Sequence, residues 1–271
     1  MNRLTQWVGG RLGRYLTRPI RNTSAGWPLD RAQLAAHVRA GDVLLIEGVS
    51  RVSSAIKYLT QSTWSHAALC VGDATGLHAP DGEPLSLIEA DIVDGVRAVP
   101  LSTYAGWHGR ICRPVGLATD DLARLCAFAV ARLGEQYDLK NLADLARYLL
   151  PHPPVPSRFR RRMLALGSGD PTRAICSTLI AQAFESIRYP ILPIIETVHR
   201  GDASRADCID EILHVRNYSL FVPRDFDVSP YFDVVKPAIA SGFDFHHLHW
   251  EGAATPAALA SPEPAREQRT P

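Results

Sequence analysis

Apolar positions follow two periods along this chain. Val43-Leu44-Leu45-Ile46 is an unbroken apolar run after the turn Gly41-Asp42, which predicts a buried strand. Similar short runs predict strands at His66 to Val71, Leu85 to Ala90, Gly95 to Leu101 and Gly109 to Pro114, and a last one at Tyr218 to Val222. Short turns such as Gly72-Asp73 join the early strands, the pattern of an antiparallel meander. Elsewhere the period is helical. Arg31 to Val38 follows Asp30 as N-cap, and Ser50 to Leu59 puts Val52, Ile56 and Leu59 on one face. Asp120 to Leu133 ends at Gly134, Leu139 to Leu150 is stopped by Pro151, Phe159 to Leu166 is short and basic, and Cys176 to Ile187 is apolar. Pro151 to Pro156 reads as a rigid extended connector. Strands gathered in one block, with helices before and after, predict an α+β fold.

This pattern divides the chain into a lead-in (1–37), a central domain (38–238) and a C-terminal extension (239–271), predicted disordered from about 253. Residues 139–173 and 190–216 read as insertions around the cysteine helix; Pro190 and Pro193 bracket a short turn, and 194–216 reads as including a mobile charged excursion. Phe159, Met163, Leu164 and Leu166 beside Arg158, Arg160, Arg161 and Arg162 suit an acyl chain or an anionic head group, or else a solvated basic helix over the core.

Charge changes the picture at one end. The formal net charge is +1 with 21% charged residues, so nothing global calls for nucleic acid. Residues 1–29, however, carry Arg3, Arg11, Arg14, Arg18 and Arg21 and no acid. Leu4, Val8, Leu12 and Leu16 recur at helical spacing among them, giving an amphipathic helix with a basic face. It reads either as a surface helix docked on the domain or as an interfacial membrane contact through residues 1–25. The arginines leave no continuous apolar stretch of a secretory signal, and no run is long enough to span a bilayer. The expected location is the cytoplasm, with peripheral attachment to the inner membrane face as the sharper form.

Cysteines at 70, 112, 126, 176 and 208 are odd in number and widely spaced, without a CxxC pair. A reducing compartment fits, and no disulfide framework is expected. Cys70 and Cys126 read as core thiols, Cys112 lacks a helix start, and Cys208 lies in a charged stretch. Cys176 is different because it opens a predicted helix, where the dipole favours a thiolate. His66, about 110 residues earlier, opens a predicted strand and could serve as its base. Glu89, on the next strand, could accept from the other ring nitrogen if both side chains face one way.

Gly41-Asp42-Val43-Leu44-Leu45, Ser65-His66-Ala67, Ile88-Glu89-Ala90, Gly134-Glu135-Gln136-Tyr137-Asp138 and Ile175-Cys176-Ser177-Thr178-Leu179-Ile180 occur in that order. With the closing Phe221-Val222-Pro223-Arg224-Asp225-Phe226, the series resembles the circularly permuted, YiiX-like branch of the NlpC-type papain-like cysteine hydrolases over about residues 38–238. The resemblance implies a permuted papain-like fold, Cys176 as nucleophile, His66 as general base and acid, and Glu89 as the residue orienting it. Tyr137 matches a tyrosine near the site, in packing or in catalysis. The related lecithin–retinol acyltransferase group uses a second histidine as the third member, which makes His78, in a predicted loop, the rival to Glu89.

The expectation is therefore a thiol hydrolase or acyltransferase working on an amide or ester bond of a small-molecule, peptide or lipid substrate, through a Cys176 thioester and with no cofactor or metal. A cell-wall peptide endopeptidase and a non-catalytic membrane-associated binding module are the alternatives. His246-His247-x-His249 lacks the other ligands of a metal site and reads as a loop, and Asp225 and Asp227 read as part of a turn.

Overall fold

The apolar run at Val43–Ile46 forms a strand buried on both faces, and the rest of the architecture is arranged around it. The computed structural model describes residues 28–91, 93–136, 175–199, 209–214 and 216–240, with 242, 244 and 246. The predicted N-terminal helix, the segments at 139–150 and 159–166, Tyr137, Cys208, His247, His249 and the end of the chain lie outside the described residues. The chain divides into two units, Met1–Lys236 and Pro237–Pro271. The second contributes a short helix, Pro237–Ala240.

In the first unit the elements follow in this order: α1 (Arg31–His37), β1 (Val43–Ile46), α2 (Arg51–Thr60), β2 (His66–Cys70), β3 (Leu87–Asp91), β4 (Gly95–Val99), β5 (Gly109–Pro114), α3 (Thr119–Val130), α4 (Ile175–Ser186), β6 (Ile194–His199), β7 (Ile209–His214), α5 (Pro223–Asp227) and β8 (Phe232–Val235). Single 3-10 turns lie at Gly72–Thr75, Leu101–Tyr104 and Tyr218–Leu220. The main sheet has six strands in the order β4-β3-β2-β1-β5-β8, and every pairing is antiparallel. The fold is α+β, with a meander sheet packed by helices.

Both faces of that sheet are covered. On one, Val43, Leu45, Leu69 and Ile88 meet Leu125 of α3, Leu179, Ile180 and Phe184 of α4, and Phe226 of α5. On the other, Leu44, Ile46, Ala68, Leu87 and Ile111 meet Leu29, Leu34 of α1 and Tyr104. This double burial explains why β1 is apolar without alternation. Phe184, Phe226, Phe232 and Tyr189 form an aromatic cluster with ring centroids 5.2–6.3 Å apart. Asp42, almost wholly buried at the start of β1, takes Arg113 of β5 at 2.7 and 2.9 Å and the backbone N–H of Arg39 at 2.8 Å.

Local chemistry sets several helix ends. Asp30 caps α1 in a reciprocal box with Gln33, and Ser50 caps α2 by accepting from Ser53 N–H at 3.1 Å. Pro223 opens α5, where the Asp225 carboxylate accepts from Val222 N–H at 3.0 Å.

Two expectations change, and one segment gains detail. Tyr218 to Val222 is not a strand: Tyr218–Leu220 is a 3-10 turn. Local N–H groups bond backward, and the Phe221 carbonyl is taken by the Ser177 hydroxyl of α4 at 2.7 Å, leaving it unavailable to a ladder. The sixth strand is Phe232–Val235 instead. Asp225 and Asp227 sit in the short helix α5 rather than a turn. The segment 190–216 contains a separate antiparallel ribbon, β6 with β7, which pairs Ile194 with His214 and His199 with Ile209.

Candidate active site

The meander brings His66 and Glu89 to one face. His66 pairs with Ile46, and Ile46 belongs to the core layer that holds Leu87, two residues from Glu89. The β2–β3 ladder holds at Leu69–Ile88 and Cys70–Leu87 and stops short of His66. The imidazole at this open end of β2 therefore reaches sideways, and its Nε2 lies 2.8 Å from Glu89 Oε2. Glu89 is 1% exposed and the His66 side chain 23%.

Cys176 comes from the opposite face. It is the second residue of α4, which packs on β2 and β3. Its side chain faces the His66 ring, and the interaction between the two raises the imidazole. With Nε2 committed to Glu89, Nδ1 is the nitrogen left for the thiol. Cys176 N–H belongs to the first turn of α4, where backbone donors have no partner within the helix. The buried Ser177 next to it anchors this end of α4 to Phe221.

Glu89 has two further partners. Arg97, directly opposite it on β4, donates from Nε to Oε1 at 2.9 Å and brings a second guanidinium nitrogen to the same oxygen at 2.9 Å. The Tyr104 hydroxyl donates to Oε2. Arg97 is itself held by Asp94 at 2.5 Å and faces Asp91 at 3.6 Å.

These contacts set the charges. Burial pushes the imidazole of His66 down, but Cys176 and Glu89 outweigh it and raise it to about 10. Burial pushes the Glu89 carboxyl up, while His66, Tyr104 and Arg97 bring it to about 2. Burial and the Glu89 charge push the Tyr104 phenol well above its ordinary value, so it remains a donor. Both shifts favour the imidazolium form of His66 and the anionic form of Glu89. The other described thiols have no such setting. Cys70, Cys112 and Cys126 are buried, and burial pushes all three up, Cys70 to about 12.

Of the residues singled out from sequence, Cys176, His66 and Glu89 come together. His78 does not: it is exposed in a loop, paired by an isolated bridge to Pro84, while Glu89 occupies His66 Nε2. Tyr137 lies outside the described residues, although Gly134 and Glu135 just before it bond to Val96 at the start of β4. No cluster of His, Cys, Asp and Glu that could hold a metal occurs among the described residues. No helix among them is long and apolar enough to cross a membrane.

Sequence reasoning missed Arg97 and Tyr104. Arg97 had a signal, because a hairpin closing at Asp91 and Gly95 places it opposite Glu89. Tyr104 had none, since it lies on a 3-10 turn without periodicity. A second polar group at this end of the sheet was also missed. Glu47 joins Lys57 at 3.0 Å and His108 at 2.8 Å. Trp64 donates to Asp227 at 2.9 Å, and the Arg110 guanidinium lies 5.1 Å from the Trp64 ring.

No family model matches this chain, and no curated protein matches it. Among solved structures it is similar to the crystal structure of metalloprotein yiiX from Escherichia coli O157:H7, with a TM-score of 0.41 and 16% identity, over 78% of this chain and 98% of that one.

Proposed function

We propose that this protein is a cysteine hydrolase or acyltransferase that cleaves an amide or ester bond through a thioester on Cys176. The observation carrying the reading is the Cys176–His66–Glu89 line: a thiol at the start of a helix, an imidazole against it, and a buried carboxylate on the far ring nitrogen. The ordered segments that resemble the permuted NlpC-type branch support the same assignment.

In this reaction Cys176 Sγ, as thiolate, attacks the carbonyl carbon. The oxyanion that forms is met by Cys176 N–H in the first turn of α4, where backbone donors have no partner within the helix. His66 Nδ1–H gives its proton to the leaving nitrogen or oxygen, the bond to that atom breaks, and the thioester remains. A water, amine or alcohol then loses a proton to His66 and attacks the thioester carbon. The acyl group leaves with the acceptor, and the thiolate–imidazolium pair is restored. Glu89 stays an anion throughout and stabilises the charged ring. A thiol facing the same imidazole that the buried carboxylate holds favours the enzyme over a scaffold that only binds ligand.

Incubation with p-nitrophenyl esters and acyl amides, followed by mass spectrometry of the intact chain, tests the reading. An acyl adduct on Cys176, absent in Cys176→Ala and His66→Ala, is the expected result. Equal labelling of wild type and Cys176→Ala by a thiol-directed acyl probe would refute it.

A further inference from the structure

Glu89 can accept hydrogen bonds at about four lone-pair positions on its two oxygens. Donors face all of them. Oε2 takes His66 Nε2–H and the Tyr104 hydroxyl, and Oε1 takes Arg97 Nε–H with a second Arg97 nitrogen at 2.9 Å. A proton placed on this carboxyl group would point at one of its own donors. That matters because a buried imidazolium–carboxylate pair has a neutral rival with the same number of protons. In the rival, the carboxyl group carries the proton and donates it to a neutral imidazole at Nε2. Low polarity favours the rival, since it contains no separated charges. A neutral imidazole gives no charge stabilisation to a thiolate.

We infer that Arg97 and Tyr104 are positioning residues that hold the shared proton on the His66 ring rather than on Glu89, and so keep the imidazolium beside Cys176. The inference rests on the acyl-transfer reading above and deepens it. Tyr104 excludes a proton from Oε2 by filling its second position, and Arg97 excludes one from Oε1 by charge and by geometry. Among the described residues, the following charged and titratable groups face the pair. Cys176 of α4 faces the His66 ring, Arg97 of β4 and Tyr104 of the Leu101–Tyr104 turn face Glu89, and Asp91 and Asp94 face Arg97 from behind. The two acids tether the guanidinium, which leaves its Nε edge turned to Glu89. The strongly lowered Glu89 carboxyl and the raised His66 imidazole agree with this arrangement.

The test is nitrogen NMR of the full chain labelled at histidine, read with the rate of Cys176 alkylation by iodoacetamide. The His66 signals are identified by their loss in His66→Gln, and Cys176→Ala gives the alkylation blank. In wild type at neutral pH, both His66 nitrogens are expected at protonated positions. In Arg97→Gln and in Tyr104→Phe, the Nε2 signal should move toward the unprotonated position. Alkylation should slow by about tenfold or more, the factor set by one pKa unit. Arg97→Lys, which keeps the charge, should recover part of both effects. Tyr104→Phe removes one oxygen and keeps the ring in its core layer, so it reads the hydroxyl apart from folding. If both variants match wild type while Glu89→Gln changes ring signals and alkylation, the role given to Arg97 and Tyr104 is overturned and the acyl-transfer reading stands. If Glu89→Gln and His66→Gln also leave alkylation unchanged, the acyl-transfer reading falls with it.

Discussion

Glu89 and Arg97 face each other across the β3–β4 ladder, one register position apart from the pair Ala90–Val96 and one from Ile88–Ala98. A cross-strand ion pair of this kind on an open face contributes little. Here the carboxylate is 1% exposed and also carries His66 and Tyr104, so the pair links the frame of the sheet to the imidazole.

Glu89→Gln keeps the shape of the side chain and removes its charge. The amide NH₂ then meets donors from Arg97 or from His66 and Tyr104, and Arg97 is left facing a neutral group. Turnover of an activated ester is expected to fall about 10²-fold or more with KM little changed, the range for a lost acid–base partner. Steady-state kinetics against wild type checks this, and an unchanged kcat contradicts it.

The site also makes stability depend on pH, with a definite sign. His66 rises from 6.5 to about 10 on folding, so its contribution is fully present below about 6.5, declines as pH rises, and is gone above about 10. Glu89 falls from 4.5 to about 2, so its contribution is present above about 4.5 and is lost as pH falls through about 2. Urea unfolding of wild type should therefore show stability declining between pH 6.5 and 10. In His66→Ala that decline should flatten. Equal slopes in the two proteins would show that His66 is not held as an imidazolium.

Gly95 and Gly134 both have positive φ, at +77° and +85°, but their surroundings differ. A Cβ at Gly95 would lie 2.4 Å from the Glu135 carbonyl, whereas one at Gly134 meets nothing within 4 Å. Gly134→Ala should cost about 1 kcal/mol from backbone strain alone. Gly95→Ala should cost about 2–3 kcal/mol, because backbone must also move. It should slow Cys176 alkylation as well, since Gly95 begins the strand that carries Arg97. Denaturant titration of the two variants side by side gives the comparison.

Phe184 is fully buried at the centre of the aromatic cluster, touching Tyr189, Phe226 and Phe232. Phe184→Ala is expected to cost about 3–5 kcal/mol, the range for emptying a core aromatic site. Phe184→Leu should recover most of that loss. The measurement is the midpoint of urea unfolding at constant slope.

Much of this arrangement is legible in the amino-acid sequence, for identifiable reasons. The strands from Val43 to Pro114 are signalled by short apolar runs between glycine turns, and the structure places five strands there. Cys176 and His66 stand out because few residue types can act as nucleophile and base. Glu89 stands out because a carboxylate inside an apolar strand needs a partner. What stays hidden depends on tertiary contacts. Tyr218 to Val222 has the composition of a strand, but the Ser177 hydroxyl takes the Phe221 carbonyl and fixes the segment as a cap over α4. Phe232–Val235 is short and partly exposed, so its own pattern is faint and its place beside β5 comes from pairing. Tyr104 reaches Glu89 from a turn whose spacing carries no period.

The order of these residues along the chain has a consequence for its synthesis. His66, Glu89, Arg97 and Tyr104 lie within one stretch of sequence, and the contacts among them close within a local meander. Cys176 is translated later and meets His66 only when α4 docks across β2 and β3. Under the proposed reaction, the thiol therefore gains its base only once α4 is in place on the sheet.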